Sequence, residues 1–487
     1  MKHHYHTTPE EPATTIHDVL RWAHEVQQLH ARIAPRFARP ETRRRALLYL
    51  QAILSDLPRK NGWQIAEHAR EARPDGMQRL LARSVWDADL VRDDLRKYIL
   101  EHLGDPEAIL VIDETSFPKR GKKSVGVQVQ YCGTTGQCEN CQVGVFLSYL
   151  SPQGHTLLDR ELYIPMQWFD DQARCREAGI PETTRFQTKC ELAATMVERV
   201  LQAQIPIRWV VADCVYGSNA RLRTHLHASQ CSYVLAVYST EPVELQTPTG
   251  RMRMTVAEAE ARFIQPQQWQ RLSMGEGTKG PRWFDWACLP LLYRGVEDGR
   301  HFLLMRRLPT KPSENVYYLV FAPVGTTLAE MVQAIAGRWS IEEDFKTSKD
   351  SGMDQYEVRT WTAWYRSITL AMLAQAALAA ICAQEQQRAA SAVEQDHPIQ
   401  QRRLLPVTRP EIRRLLGQLL WPRPHNVPLL LAWSWWRRRH RSLACSSHHK
   451  RRQEQANPAL DREASACRPH SRGTPGYFPK KTPWIIP

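Results

Sequence analysis

The sequence predicts an α/β protein: a mixed sheet flanked by helices, interrupted by a β-rich insertion and preceded by an all-helical domain. Two observations lead there. Residues from about 17 to 104 repeat apolar side chains at three- and four-residue spacing. The period then changes to short runs of β-branched and aromatic residues. The net charge of +14 is confined to the end of the chain and bears on partners, not on fold.

The first 16 residues carry no pattern and are expected to be disordered. From 17 to 104, TRRRALLYLQAILSDL and DLVRDDLRKYILEHL set apolar stripes against basic faces, which suits a helical DNA-binding domain. Over 105–240, AILVIDETSF, GVQVQYC and VGVFLSYLS read as three consecutive strands. A helix around ETTRFQTKCELAATMVERVLQAQ follows, then a fourth strand, RWVVADCVYG, and a fifth, SYVLAVYS. Residues 241–325 return to turns and strands and read as an insertion. Helical periodicity resumes over 326–400. There the apolar run Ile368–Ala383 contains Gln375 and falls short of the roughly 20 residues of a membrane span, so a buried helix is expected. A basic helical region (401–445) and an unpatterned basic tail (446–487) complete the chain, and no internal repeat is present.

From 401 onward, 18 Lys and Arg stand against 4 Asp and Glu, whereas the first 400 residues balance at 47 against 47. Such a block meets polyanions through phosphate neutralisation, or else serves as a solubilising tail. The start has no apolar signal core, so the expected location is the cytoplasm, with the 11 cysteines as thiols. Cys132, Cys138 and Cys141 lack an obvious fourth zinc ligand. His4, Tyr5 and His6 spell a DNA-nicking motif, but on an unpatterned start rather than a central strand. No Walker-type phosphate loop is present.

The chemistry-bearing residues are carboxylates. In RWSIEEDFKTSKD, Arg338, Glu342, Phe345 and Lys349 share a helix stripe about 60° wide, while Glu343 points elsewhere. Taken alone, Arg338 and Glu342 are also an ordinary i,i+4 ion pair. Asp113 ends the apolar strand LVID and Asp213 ends WVVAD, where a charge serves either as a cap or as a group facing a cleft. Three oxygen donors with few nearby histidines suit Mg²⁺ or Mn²⁺, and paired ions suit phosphodiester cleavage.

This order of strands and carboxylates resembles the RNase H-like fold of DDE transposases. The helix resembles the Y-x2-R-x3-E-x6-K signature of the insertion sequence 4 superfamily, through Arg338, Glu342 and Lys349. RKNGWQIAEHA, IDETSFPKRGKKSVGVQVQY, NCQVGV, VVADCVYG, GMDQYEVRTW and LAWSWWRRRHR resemble the insertion-sequence 701 family of bacterial transposases. The resemblance implies Asp113, Asp213 and Glu342 as the catalytic, metal-holding triad, with two Mg²⁺ or Mn²⁺ ions. It implies Arg338 and Lys349 as DNA-phosphate contacts, and Lys119, Arg120, Lys122 and Lys123, just after Asp113, are candidates for backbone contact or a plain charged turn. It further implies double-stranded DNA as partner (transposon ends and target), a homodimer on that DNA, no membrane, and a bacterial cytoplasmic, nucleoid-associated setting. The signature tyrosine falls on Ile335, so its contribution is absent or supplied elsewhere, and no hairpin-forming route is carried over. In the insertion, Trp283 and Trp286 are candidates to stabilise a displaced base, or are core. An inactive DNA-binding derivative and a non-mobile nuclease of the same fold remain as alternatives.

Overall fold

Five helices open the chain because caps and periodicity agree there. Thr15 begins α1 (Ile16–Ile33) with a capping box closed by Asp18. α2 (Pro40–Leu54) starts on proline, whose missing N–H costs nothing in a first turn. Asn61 caps α3 (Gly62–His68), α4 (Asp75–Ala82) follows, and Asp87 caps α5 (Ala88–Leu103). The computed structural model describes residues 14–277, 280–395, 406–422 and 426–456. The unpatterned start up to residue 13, with His4, Tyr5 and His6, and the tail from 457 lie outside the described residues.

Four strands follow where three are expected: β1 (Ile109–Pro118), β2 (Gln128–Cys132), β3 (Gln137–Ser151) and β4 (Gly154–Tyr163). The additional strand, β4, carries three consecutive charged residues, Asp159, Arg160 and Glu161. Its charges are matched in space. Asp159 is fully buried and accepts from Arg96 of α5, and Arg160 is buried beside it. After α6 (Gln172–Ala178) and α7 (Lys189–Gln202), Arg199 of α7 also reaches Asp159, at 2.8 Å. β5 (Trp209–Ala212) is shorter than the expected strand, because Asp213 turns CVYG into the single-turn helix α8 (Cys214–Gly217). α9 (Ala220–Ala228) and β6 (Tyr233–Val237) complete this half.

The expected insertion contains a β7 (Pro242–Thr247)–β8 (Gly250–Thr255) hairpin, α10 (Val256–Phe263), and four longer strands. These are β9 (Gln270–Gly277), β10 (Gly280–Tyr293), β11 (Val296–Leu308) and β12 (Lys311–Phe321). They continue the main sheet, because β12 pairs with β6. Among the described residues one ten-stranded sheet results, in the order β2-β3-β1-β5-β6-β12-β11-β10-β9, with β4 also paired to β3. It is mixed: β1, β5 and β6 are parallel, and β3 and β12 flank them antiparallel.

The chain returns through α11 (Leu328–Ala336), α12 (Ser340–Asp350), α13 (Trp361–Gln395) and α14 (Arg409–Leu415). α13 is long and apolar enough to cross a membrane by length and composition, yet 89% of its apolar stretch is buried inside the fold. It forms a wall between the N-terminal helices and the sheet. Arg366 donates to the carbonyls of Leu81 and Trp86, Trp22 donates to Glu385, and on the sheet side Tyr365 donates to Glu161. Its fully buried Trp364, Leu370, Leu373 and Ile381 each contribute about 1.5–3 kcal/mol of apolar burial. The five opening helices therefore share a core with the sheet. A second unit, His425–Pro487, contains α15 (Val427–Ala456) and is described by itself below.

Candidate active site

Ile112 of β1 lies opposite Ala212 of β5 at the last aligned position of that parallel pair, and the next residue on each strand is an aspartate. Asp213 follows the carboxyl end of β5, but Asp113 does not end its strand as expected: β1 runs on to Pro118, paired with β3. Asp113 marks only the point where the parallel pairing with β5 stops, so the two aspartates sit side by side where a crevice can open. Asp213 is also an N-cap, accepting from the Val215 N–H at 2.9 Å and the Tyr216 N–H at 3.4 Å. Gly217 permits this close fit: a Cβ there would meet the Ala236 carbonyl of β6 at 1.8 Å.

Burial pushes the Asp113 carboxyl up to about 7, and the charges of Asp213 and Glu114 add to the effect. Its own backbone acceptor bond from Glu114 and the Arg338 guanidinium pull weakly the other way. Asp213 is raised too, by burial and then by Glu114. Like charges held together out of water constitute a site short of positive charge.

Arg338 supplies some. It sits on the tight turn Gly337–Trp339 that leads into α12, with Nη1 3.7 Å from Asp113 and Nη2 3.3 Å from Glu342. Its guanidinium also lies 4.9 Å from the Trp339 ring. The predicted stripe thus brings Arg338 to Asp113, with Glu342 on the far side of the guanidinium. Glu343 goes elsewhere: it pairs with His155 at 3.5 Å, which holds its carboxyl below the usual range. Next to it, buried Asp344 accepts from Ser148 at 2.5 Å, His155 at 2.9 Å and Arg409 at 2.8 Å. That network anchors α12 from behind, while Phe345 packs on Phe146 of β3.

The other predicted cations scatter. Lys349, about 10 Å along the helix from Glu342, donates to Thr134 at 3.1 Å and is lowered by burial. Lys119 lies 3.6 Å from the Tyr356 ring centre, donates to the Tyr356 carbonyl and is pushed down to about 8 by burial. Lys123 is paired with Glu177 at 2.5 Å. Arg120 and Lys122 are exposed, with no ion pair among the described residues. Trp286 is fully buried and stacks on Tyr318, whereas Trp283 is half exposed. Cys132 and Cys141 are buried together against Val143, and Cys138 is exposed.

Two features escape the sequence reading. Glu114, beside Asp113, is held by Lys189 at 2.6 Å and by the Tyr216 hydroxyl, tying β1 to α7 and α8. A cavity of about 340 Å³ opens beside Asp213 and Arg338, walled by Ile335, Tyr238, Tyr317 and Trp339. Ile335 stands where the signature has tyrosine, but Tyr238, half exposed, reaches the same space from the end of β6.

Residues 32–286, a little over half of the chain, match the family described as DDE superfamily endonuclease. The chain belongs to that family. The match includes Asp113 and Asp213 and ends before Arg338 and Glu342. Over 198 residues the chain is 29% identical to a probable transposase for insertion sequence element IS701 of Microchaete diplosiphon, covering 39% of this chain and 48% of the relative. The alignment thus spans about half the length of that relative. Among solved structures, the piggyBac transposase synaptic complex with hairpin DNA matches with TM-score 0.40 and 12% identity, over 82% of this chain and 76% of that one. The NurA nuclease of Sulfolobus solfataricus matches with TM-score 0.22 and 10% identity, over 52% and 80%. Neither score bears on fold or function.

DDE superfamily endonucleases use divalent metals. In this member the half-buried, mutually repelling Asp113 and Asp213 offer the hard oxygen donors such an ion takes. Among the described residues no group of three or more His, Cys, Asp or Glu is close enough to hold a metal. Glu342 stands off, with Arg338 between it and Asp113.

Proposed function

We propose that this DDE-family endonuclease is a bacterial transposase with an RNase H-like core. It cuts the ends of its insertion sequence by metal-dependent hydrolysis and joins the freed 3′-hydroxyl to target DNA. The observation that carries this reading is the pair Asp113–Asp213 on adjacent parallel strands, with Arg338 bridging Asp113 to Glu342 of α12. The order β4-β3-β1-β5-β6, with β1, β5 and β6 parallel, supports the RNase H-like assignment.

Asp113 and Asp213 would hold Mg²⁺ or Mn²⁺, with Glu342 completing the set once Arg338 turns to a DNA phosphate. When bound, the metal polarises the scissile phosphate and stabilises the leaving oxygen. The chain's own residues do the rest. Arg338 neutralises phosphate charge, and the Asp344 anchor fixes the helix that carries Glu342. The Glu114–Lys189–Tyr216 cluster fixes α8, and with it Asp213. Tyr238 offers a hydroxyl in the space the signature tyrosine would fill. Most of the rate enhancement then comes from positioning and charge stabilisation. Exposed Arg120 and Lys122 contact the DNA backbone, as do the basic faces of the N-terminal helices; Lys119, Lys123 and Lys349 join them only by leaving Tyr356, Glu177 and Thr134. Two ends require two copies, so the working form is a homodimer on double-stranded DNA, at the nucleoid in the cytoplasm.

One observation favours a second reading, an inactive DNA-binding derivative: three carboxylates do not converge here. Purified protein with Mn²⁺ and a duplex carrying its element's ends separates the two. Nicking that exposes a 3′-hydroxyl at the end, and is abolished by Asp213→Ala, supports the transposase. Binding of the ends without cleavage in any divalent metal supports the derivative.

A further inference from the structure

α15 differs in composition from every other helix. Between Val427 and Ala456 it carries seven arginines and lysines against a single acid, Glu454. At 100° per residue, Arg437, Arg438, Arg441, His448 and Arg452 fall within one sector about 100° wide and about 22 Å long. Arg438, Arg441, His448 and Arg452 are exposed, and the three arginines have no ion pair among the described residues. A strip of that length runs beside about six phosphates on each strand of a duplex. The helix also exposes Val427, Leu431 and Trp435, 66%, 65% and 59% accessible, near its start. A second copy of the chain is the competing occupant, but it would bring the arginine strip against its own like charges.

We propose that α15 is a sequence-independent DNA-backbone arm, lying along duplex DNA through the Arg438–Arg441–Arg452 strip. This rests on the functional reading only in taking DNA as the partner, and it adds a contact outside the residues that match the family. The strip neutralises phosphates and reads no bases, so it holds any duplex, such as target DNA, equally well.

The test compares the wild-type chain with an Arg438→Gln, Arg441→Gln, Arg452→Gln variant, by fluorescence anisotropy on a duplex of arbitrary sequence over a KCl series. The plot of log affinity against log salt should flatten by about 3 in slope, close to one per lost phosphate contact. Cleavage of end DNA at saturating protein should be unchanged. Equal slopes for the two proteins would overturn the inference and leave the proposed function intact if the wild type still cuts ends. A Leu431→Gln, Trp435→Gln variant that sediments as a smaller species, combined with equal slopes for the arginine variant, would assign α15 to self-association instead. Wild type that binds no duplex at all would remove both the inference and the functional reading.

Discussion

Arg338 holds its guanidinium 3.7 Å from the carboxylate of Asp113, and its other terminal nitrogen reaches Glu342 at 3.3 Å. The arginine thus occupies the place where two carboxylates of the proposed triad would otherwise face each other. In the resting protein it is the counter-charge. In the DNA complex proposed above it would turn to a phosphate, whose oxygens a guanidinium matches bidentately and a lysine does not.

Arg338→Ala should therefore reduce end cleavage by about 100-fold, the typical cost of removing one preorganised charge donor. Arg338→Lys should recover only part of the loss. Single-turnover cleavage with saturating Mn²⁺ reads both effects. An unchanged rate in Arg338→Ala would show that its contacts are only structural.

Asp113 predicts a pH dependence of the metal-free protein. Its folded-state value is raised from 3.8 to about 7, so between those values the folded chain binds more protons than the unfolded one. Stability must fall as pH rises through that window, the opposite of the usual carboxylate behaviour. Asp113→Asn should stabilise the metal-free protein at about pH 8, by at most about 4 kcal/mol, and do little at about pH 4. Wild type should regain stability when Mg²⁺ or Mn²⁺ is added, by about 2.7 kcal/mol at a hundredfold excess over Kd. Asp113→Asn should regain far less. Urea melts with and without metal measure all of this, and a metal-free variant no more stable than wild type at high pH would contradict it.

Asp344 predicts the reverse sign. It is fully buried, and His155, Arg409 and Ser148 outweigh its desolvation and bring it down to about 2. Its stabilising share is present above about pH 4 and is lost as pH falls through about 2. Asp344→Ala leaves buried Arg409 without its carboxylate and His155 with only Glu343, and should cost about 3–5 kcal/mol. Chemical denaturation near neutral pH tests this, and a loss below about 1 kcal/mol would mean the network is not what anchors α12.

Asp113 and Asp213 were legible because each ends a run of apolar residues, where a charge has few reasons to be. Helix geometry separates Glu342 from Glu343 by 100° of rotation, and the structure accordingly places Glu342 against Arg338, though not against the two aspartates. The structure adds a reason for Glu343, since His155 lies against it. Glu114 was hidden because its partners Lys189 and Tyr216 are 75 and 102 residues away along the chain. β4 was hidden for a related reason: Asp159 and Arg160 look like loop residues until arginines from α5 and α7 converge on them. The reach of the sheet was hidden too, because strand pairing between β6 and β12 joins segments about eighty residues apart, and local periodicity carries no such information. α13 extends well beyond its apolar run because the flanking polar residues, Arg366 and Glu385 among them, find partners on the N-terminal helices.

Excision in cells tests the central claim most directly. The coding region is expressed with its native flanking ends, as wild type, Glu342→Ala and Glu343→Ala, and repaired donor sites are counted. The carboxylate assignment predicts excision by wild type and Glu343→Ala, with none above background from Glu342→Ala. Excision that survives Glu342→Ala, or that is lost only in Glu343→Ala, would contradict it.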